Sequence, residues 1–312
     1  MAQVDGQIGV VLVHGLLSSP DVWDPFRKLL YTDRELSFVT PLPFEYSTPY
    51  FRFNPLRRIP SFDDIADSLQ MFLRVEAGAF DDIVLVSHSQ GGLIVQRHLH
   101  RMLSAGRGAE LTRIRLVCTF ACPNSGAELL HTFRRRFVRK HPQERELRPL
   151  NALVAETHST VINRVVHAER ATASTCPIPF RVYAGESDNI VTATSARGAF
   201  PGAGVLPGDH STLVRPDSVT HRSYTTLRAD LTFARDRARE AVRSSAPAPS
   251  SPDPERVRDE RRAERNGPSI RIQENNASDN SQVFAVQDGT IDVHQGPKPP
   301  SPGPSSGPEE PA

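Results

Sequence analysis

Asp82-Ile-Val-Leu-Val-Ser-His-Ser-Gln-Gly-Gly-Leu93 is the stretch from which the rest of the chain is read. Its apolar run Ile83 to Val86, mostly β-branched, suits a strand buried on both faces. The chain turns at Ser87-His88-Ser89-Gln90-Gly91 and continues in a helical pattern, Leu93-Ile-Val-Gln-Arg-His-Leu99. A strand, a tight turn with a central Ser and a helix make a nucleophile elbow, in which strain exposes the hydroxyl of Ser89 above the sheet. Gly91 and Gly92 supply small residues where backbone segments crowd. Ser87 stands where the G-x-S-x-G pattern has its first Gly, a mild departure to another small residue. The plain alternative is a strand–loop–helix of an α/β domain with an incidental serine.

Working outward, Ile8-Gly-Val-Val-Leu-Val13 is a buried strand that ends in His14-Gly15. Ser19 and Pro20 read as the N-cap and first position of a helix. Leu36 to Leu42 reads as a second strand, and Ser61 caps a helix with Ile65, Leu69, Phe72 and Leu73 on one face. Beyond the elbow, strands are expected within Arg113–Ala121, at Phe180–Ala184 and, weakly, at Gly204–Leu206. Residues 127–170 are helical in pattern and basic, and Asp217–Val242 reads as a closing helix. Strands alternating with helices predict an α/β fold, a mostly parallel sheet with helices on both faces. Function in such sheets collects beyond the carboxyl ends of the strands. His14, Ser89, Cys122-Pro123 and Asp188 all fall at or just after such ends.

A chain of 312 residues can bury a sizeable core in one large domain or two small ones. Its net charge of +1 gives no push toward nucleic acid. Cys118, Cys122 and Cys176 show no metal-ligand spacing, and an odd, sparse set suits buried thiols in a reducing cytoplasm. The opening residues lack the charged and apolar regions of a signal peptide, and no apolar run is long enough for an integral membrane span. There is no phosphate-binding glycine loop and no internal repeat. No metal and no cofactor is expected.

The composition changes at Ser244. Twelve of the 27 prolines lie between Pro247 and Pro311, mixed with Ser, Glu and Arg, so too little apolar surface is available to offset ordering entropy. The expected organisation is therefore a catalytic domain over 1–243 and a disordered tail over 244–312. One island interrupts the tail. Ser269-Ile-Arg-Ile272 and Gln282 to Val293 alternate apolar residues as two short strands would.

A serine hydroxyl attacks a carbonyl only with a base beside it, and that base needs an anion to orient it. Along the chain the elbow is followed by Asp188, just past the Phe180–Ala184 strand, and then by His210 in a Gly-containing loop before the last helix. Ser89, Asp188 and His210 are the candidate catalytic residues. Glu186 and Asp217 are weaker candidates for the acid, and Asp209 reads as a turn residue. The amides of Gln90 and Leu16 are the candidate oxyanion donors. His14 reads as a residue holding its loop by hydrogen bonds rather than as a second base. His88 alternates away from Ser89 and reads as a core or supporting residue.

Taken jointly, His14-Gly15, Ser87-His-Ser-Gln-Gly-Gly92, Cys122-Pro-Asn-Ser-Gly126, Asp188 and Asp209-His-Ser211 resemble the α/β-hydrolase superfamily over residues 8–235. Within it they are similar to the lipase-like branch, which includes eukaryotic GPI inositol-deacylases and bacterial serine hydrolases fused to signalling domains. The resemblance implies a serine carboxylic-ester hydrolase acting through an acyl-enzyme on a lipid or small acyl ester. Thioesterase, acyltransferase and amidase activities stay open, as does a catalytically silent binding module on the same fold. Asn124 stands where relatives often carry His, which puts the substrate contacts of that loop in question.

His14, Tyr46 and Phe51 are the candidate substrate-binding residues. The aromatic segment 44–60 fits a lid or acyl-chain entrance, with packing over the sheet as the equal alternative. Arg134-Arg-Arg136, Arg139 and Lys140 suit peripheral contact with anionic headgroups, or simply a solvated helix face. Residues 268–296 resemble the short amyloid signalling motifs of filamentous bacteria, related in pattern to the RHIM. That resemblance implies a signalling partner carrying a matching segment, with stacked Asn and Gln ladders supplying the cohesion. An incidental β-rich patch is the alternative.

Overall fold

A computed structural model of the chain describes residues 6–15, 18–46, 61–123, 144–200, 202–245, 273–275 and 283–285. The chain divides into two units, Met1–Ala246 and Pro247–Ala312.

In the first unit the strands are β1 (Ile8–Val13), β2 (Val39–Phe44), β3 (Asp82–His88), β4 (Ile114–Phe120), β5 (Phe180–Gly185) and β6 (Gly204–Leu206). They form one sheet in the order β2-β1-β3-β4-β5-β6, and every neighbouring pair is parallel. Among the described residues its α-helices are α1 (Asp24–Thr32), α2 (Phe62–Val75), α3 (Gln90–Ser104), α4 (Glu144–Val161), α5 (Ala193–Ala199) and α6 (Arg222–Ser245). Both faces of the sheet are covered because successive side chains of a strand point to opposite sides. Val10, Leu12, Val84 and Val86 pack with Trp23, Phe26 and Leu30 and with Tyr224, Leu227 and Leu231 of α6. Val11, Val13, Ile83 and Leu85 pack the other way, with Ile65 and Leu69 of α2 and Ile94, Val95 and Leu99 of α3. Each such buried aliphatic contributes about 2 kcal/mol.

The expected boundaries shift in three places. The second strand starts at Val39 rather than Leu36, because Arg34–Leu36 forms a 3-10 turn whose Glu35 amide is capped by Asp33. Pro41 and Pro43 then sit inside β2, which is tolerable only because β2 is an edge strand. The helix expected from Ser19 begins as a 3-10 turn, Pro20–Trp23, and the Ser19 hydroxyl donates to Asp21 instead of capping it. The closing helix starts at Arg222, not Asp217. The start at Ser61 is as read, with a capping box: Ser61 Oγ accepts from the Asp64 amide at 3.1 Å, and Asp64 accepts from the Ser61 amide at 2.8 Å.

On the α1/α6 face of the sheet, α6 presents a buried carboxylate. Asp230 accepts from the Tyr183 hydroxyl at 2.6 Å and from Cys118 Sγ at 3.5 Å, with Arg181 Nε at 3.6 Å. Burial pushes its pKa above the usual carboxylate range, against the opposing pull of those donors. Cys118, Cys122 and Cys176 are buried, and none of them is in a disulfide. Among the described residues no helix is long and apolar enough to cross a membrane.

In the second unit, β7 (Gln273–Asn275) and β8 (Val283–Ala285) pair antiparallel, with Gln273 opposite Ala285 and Asn275 opposite Val283. Ser269–Ile272 and the tail expected to be disordered lie otherwise outside the described residues.

Candidate active site

The sheet order places a switch point between β1 and β3. The chain leaves β1 toward β2 on one side and leaves β3 toward β4 on the other, and beyond the carboxyl ends at such a point is where open α/β sheets carry their sites. Val13 pairs with Ser87 and His88 with Phe120, which puts His14, Ser89 and Ala121 at one rim.

Ser89 has φ 53° and ψ −130°, a conformation that non-glycine residues rarely adopt. The turn is held from both sides. The Ser89 amide donates to the Phe120 carbonyl at 2.9 Å, and the Ser89 carbonyl accepts from Gly92 at 3.0 Å. Crossing segments leave no room for side chains at the second and third positions after Ser89. A Cβ on Gly91 would run into the carbonyl oxygens of His14 and Val13, and one on Gly92 into the Cys122 side chain. Ser87 is tolerated at the first position of the motif because it lies within β3, fully buried, and its hydroxyl reaches the Cys118 carbonyl at 3.4 Å.

The Ser89 hydroxyl lies 3.0 Å from Nε2 of His210, and His210 Nδ1 lies 2.9 Å from Oδ2 of Asp188. All three residues are buried. Asp188 sits just past β5, in a turn closed by its own amide on the Gly185 carbonyl at 3.2 Å. Its second oxygen accepts from the amides of Ile190 at 2.7 Å and Val191 at 3.0 Å. Burial alone raises the Asp188 pKa, but the His210 hydrogen bond and charge and these two amides outweigh it, and the carboxyl is held below the usual range. Asp209, one residue before the imidazole, is the turn residue expected. Its Oδ1 accepts from the amides of Ser211 at 2.8 Å and Thr212 at 2.9 Å, which depresses its own pKa.

Of the three residues expected on the substrate side, His14 and Tyr46 are described. Tyr46 and His14 come together, but as a packed pair. Their rings stack at 4.1 Å and 6°, and the Tyr46 hydroxyl donates to the His14 carbonyl at 2.7 Å. His14 Nδ1 faces the Gly15 carbonyl at 2.9 Å, and burial lowers its pKa, which favours a neutral ring donating there. His14 has no exposed surface and Tyr46 has 8%, so both hold the loop that follows β1 rather than offering a surface to a ligand. Phe51, with the rest of 47–60, lies outside the described residues, as do Leu16 and the basic run Arg134–Lys140. Gln90 is described. As the first residue of α3, its amide is one of those a helix leaves without an intrahelical acceptor.

One contact had no signal in the sequence. His88 Nε2 donates to the backbone carbonyl of His210 at 2.8 Å, across 122 positions. Only the register of β3 against the loop after β6 brings these residues together.

The sequence model of the alpha/beta hydrolase family matches residues 10–222, from β1 into α6. The chain belongs to this family. No curated protein matches it. Among similar solved structures is a carboxylesterase of the thaumarchaeon Nitrososphaera gargenis, at 16% identity and TM-score 0.48, covering 75% of this chain and 93% of that one. The esterase domain of a Rhodothermus marinus protein is similar at 16% identity and TM-score 0.44, covering 75% and 90%. A lipase-esterase related protein from Clostridium acetobutylicum is similar at 10% identity and TM-score 0.44, covering 74% and 96%. At these values the likeness carries no argument about activity. Within the alpha/beta hydrolase family, function is argued from the site.

Proposed function

We propose that the protein is a serine carboxylic-ester hydrolase in which Ser89 is the nucleophile, His210 the general base and acid, and Asp188 the residue that orients the imidazole. The observation that supports this reading is the unbroken hydrogen-bonded line from the strained Ser89 through His210 to Asp188. Asp188 holds Nδ1 protonated, so Nε2 presents a lone pair to the Ser89 hydroxyl. Ser89 Oγ attacks the ester carbonyl carbon as its proton passes to Nε2. The oxyanion that forms is held by the Gln90 amide and, in this reading, by the Leu16 amide; one such donor is worth about 3 kcal/mol of barrier. The imidazolium then protonates the departing alkoxide, leaving an acyl-enzyme. Water, deprotonated by the same imidazole, attacks that acyl group and releases the acid and free Ser89.

Three buried thiols outside any disulfide favour a reducing compartment, so we place the protein in the cytoplasm. The sequence elements around His14, Ser89 and His210 favour the lipase-like branch, with a lipid or small acyl ester as substrate. The test is Ser89→Ala. Hydrolysis of short p-nitrophenyl esters and labelling by a fluorophosphonate should both vanish while the melting transition stays. Turnover that survives the substitution removes Ser89 from the mechanism.

A second reading concerns the other unit. The antiparallel pairing of Gln273–Asn275 with Val283–Ala285 favours a β-forming segment there, and we propose that 268–296 recruits the enzyme into a signalling assembly. A synthetic 268–296 peptide should form thioflavin-positive fibrils. A peptide that stays soluble for days at high concentration argues against it.

A further inference from the structure

We propose that His88 is a positioning residue for the reaction, holding the backbone of His210 so that its imidazole meets Ser89. The inference rests on the Ser89–His210 reading above and adds to it a residue that touches neither substrate nor the reacting atoms. His210 is carried on a loop between β6 and the 3-10 turn Thr212–Val214. That loop is tied on its upstream side by the Gly208 carbonyl, which accepts from the Ser187 amide at 3.1 Å. Downstream it is tied by the Asp209 side chain on Ser211 and Thr212. At His210 itself the backbone anchor is the 2.8 Å bond from His88 Nε2. The imidazole of His210, gripped at Nδ1 by Asp188, needs this backbone fixed as well, because a ring held at one atom still pivots about it.

His88 is well placed for the task. It is the last residue of β3, which lies between β1 and β4 in the sheet, and it directly precedes Ser89. The nucleophile and the clamp on its base therefore hang from consecutive residues of one rigid strand, so any movement of the strand end carries both. The ring is 7% exposed, packs edge-on against Trp23 with centroids 6.5 Å apart, and lies 5.1 Å from the His210 ring. These contacts fix the direction in which Nε2 points. As donor to a carbonyl, Nε2 must carry its proton, which sets the ring's tautomer whenever it is neutral.

The experiment compares His88→Phe with His88→Gln in the full chain. Phe keeps a ring against Trp23 and deletes the donor, whereas Gln places an amide N–H at the reach of Nε2. Turnover of p-nitrophenyl butyrate is measured per active site, the sites being counted by fluorophosphonate labelling so that misfolded protein does not enter kcat. His88→Phe should lower kcat about 10- to 100-fold, the scale expected when a catalytic group is misplaced by about 1 Å, with KM within about twofold. His88→Gln should recover most of that loss. Equal kcat in His88→Phe and the wild type overturns the proposal, as does a Gln variant no better than Phe. If instead the wild type is not labelled at Ser89 at all, the underlying catalytic reading falls, a result distinguishable from either of these.

Discussion

The carboxylate of Asp188 is shared between one side chain and two backbone amides: Oδ2 faces Nδ1 of His210 at 2.9 Å, and Oδ1 accepts from Ile190 and Val191. The acid is thus fixed by its own turn before it fixes the imidazole. Asp188→Asn keeps that shape but can present an N–H to Nδ1, which favours the wrong tautomer. The expected loss in kcat is about ten-thousandfold with little change in KM, read from ester-hydrolysis kinetics.

The same carboxyl predicts a pH effect. Its pKa is depressed in the fold, so its stabilisation is complete above the unfolded value, near 4, and disappears as pH falls through the folded value. Urea unfolding from pH 6 downward should show wild-type stability falling more steeply than that of Asp188→Asn. Parallel curves would mean that the depression is absent.

Asp230 predicts the opposite sign. Burial raises its pKa, so ionising it above the unfolded value works against folding. Asp230→Asn keeps an acceptor for the Tyr183 hydroxyl and removes the charge. The variant should be more stable than the wild type at pH 7 and lose that advantage below about pH 4, where both are neutral.

Tyr46→Phe tests the clamp on the loop after β1. The ring stack on His14 survives, and the His14 carbonyl loses its 2.7 Å donor in a buried setting. A cost of about 1–3 kcal/mol in urea unfolding is expected, with a fall in kcat larger than any change in KM.

Gly91→Ala and Gly92→Ala should differ in kind. At Gly91 the obstruction is backbone of β1 and its loop, which has no rotamer to change, and the variant should fail to fold or to label. At Gly92 it is the side chain of Cys122, so Gly92→Ala should cost about 1–3 kcal/mol and be partly rescued by Cys122→Gly.

Much of this site is legible in the sequence because its parts are local. The elbow is a strand, a turn and a helix within one short stretch, and Asp188 and His210 each follow a strand by a few residues. What was not legible depends on packing across the fold. Tyr46 looked like a surface for an acyl chain because aromatic residues cluster around it, yet its partner is a carbonyl 32 positions away. His88 read as a core or supporting residue because alternation along β3 turns it from Ser89, but what it supports was hidden, since alternation says nothing of a loop arriving after β6. The start of β2 was misplaced because the Asp33 side chain closes Arg34–Leu36 into a 3-10 turn, a local hydrogen bond that the apolar pattern does not reveal.

The line Ser89–His210–Asp188 hangs from the ends of β3, β5 and β6, and none of its three residues lies between Pro123 and Phe180. Substitutions confined to that span that keep the fold should therefore leave all three groups of the line, and fluorophosphonate labelling of Ser89, in place.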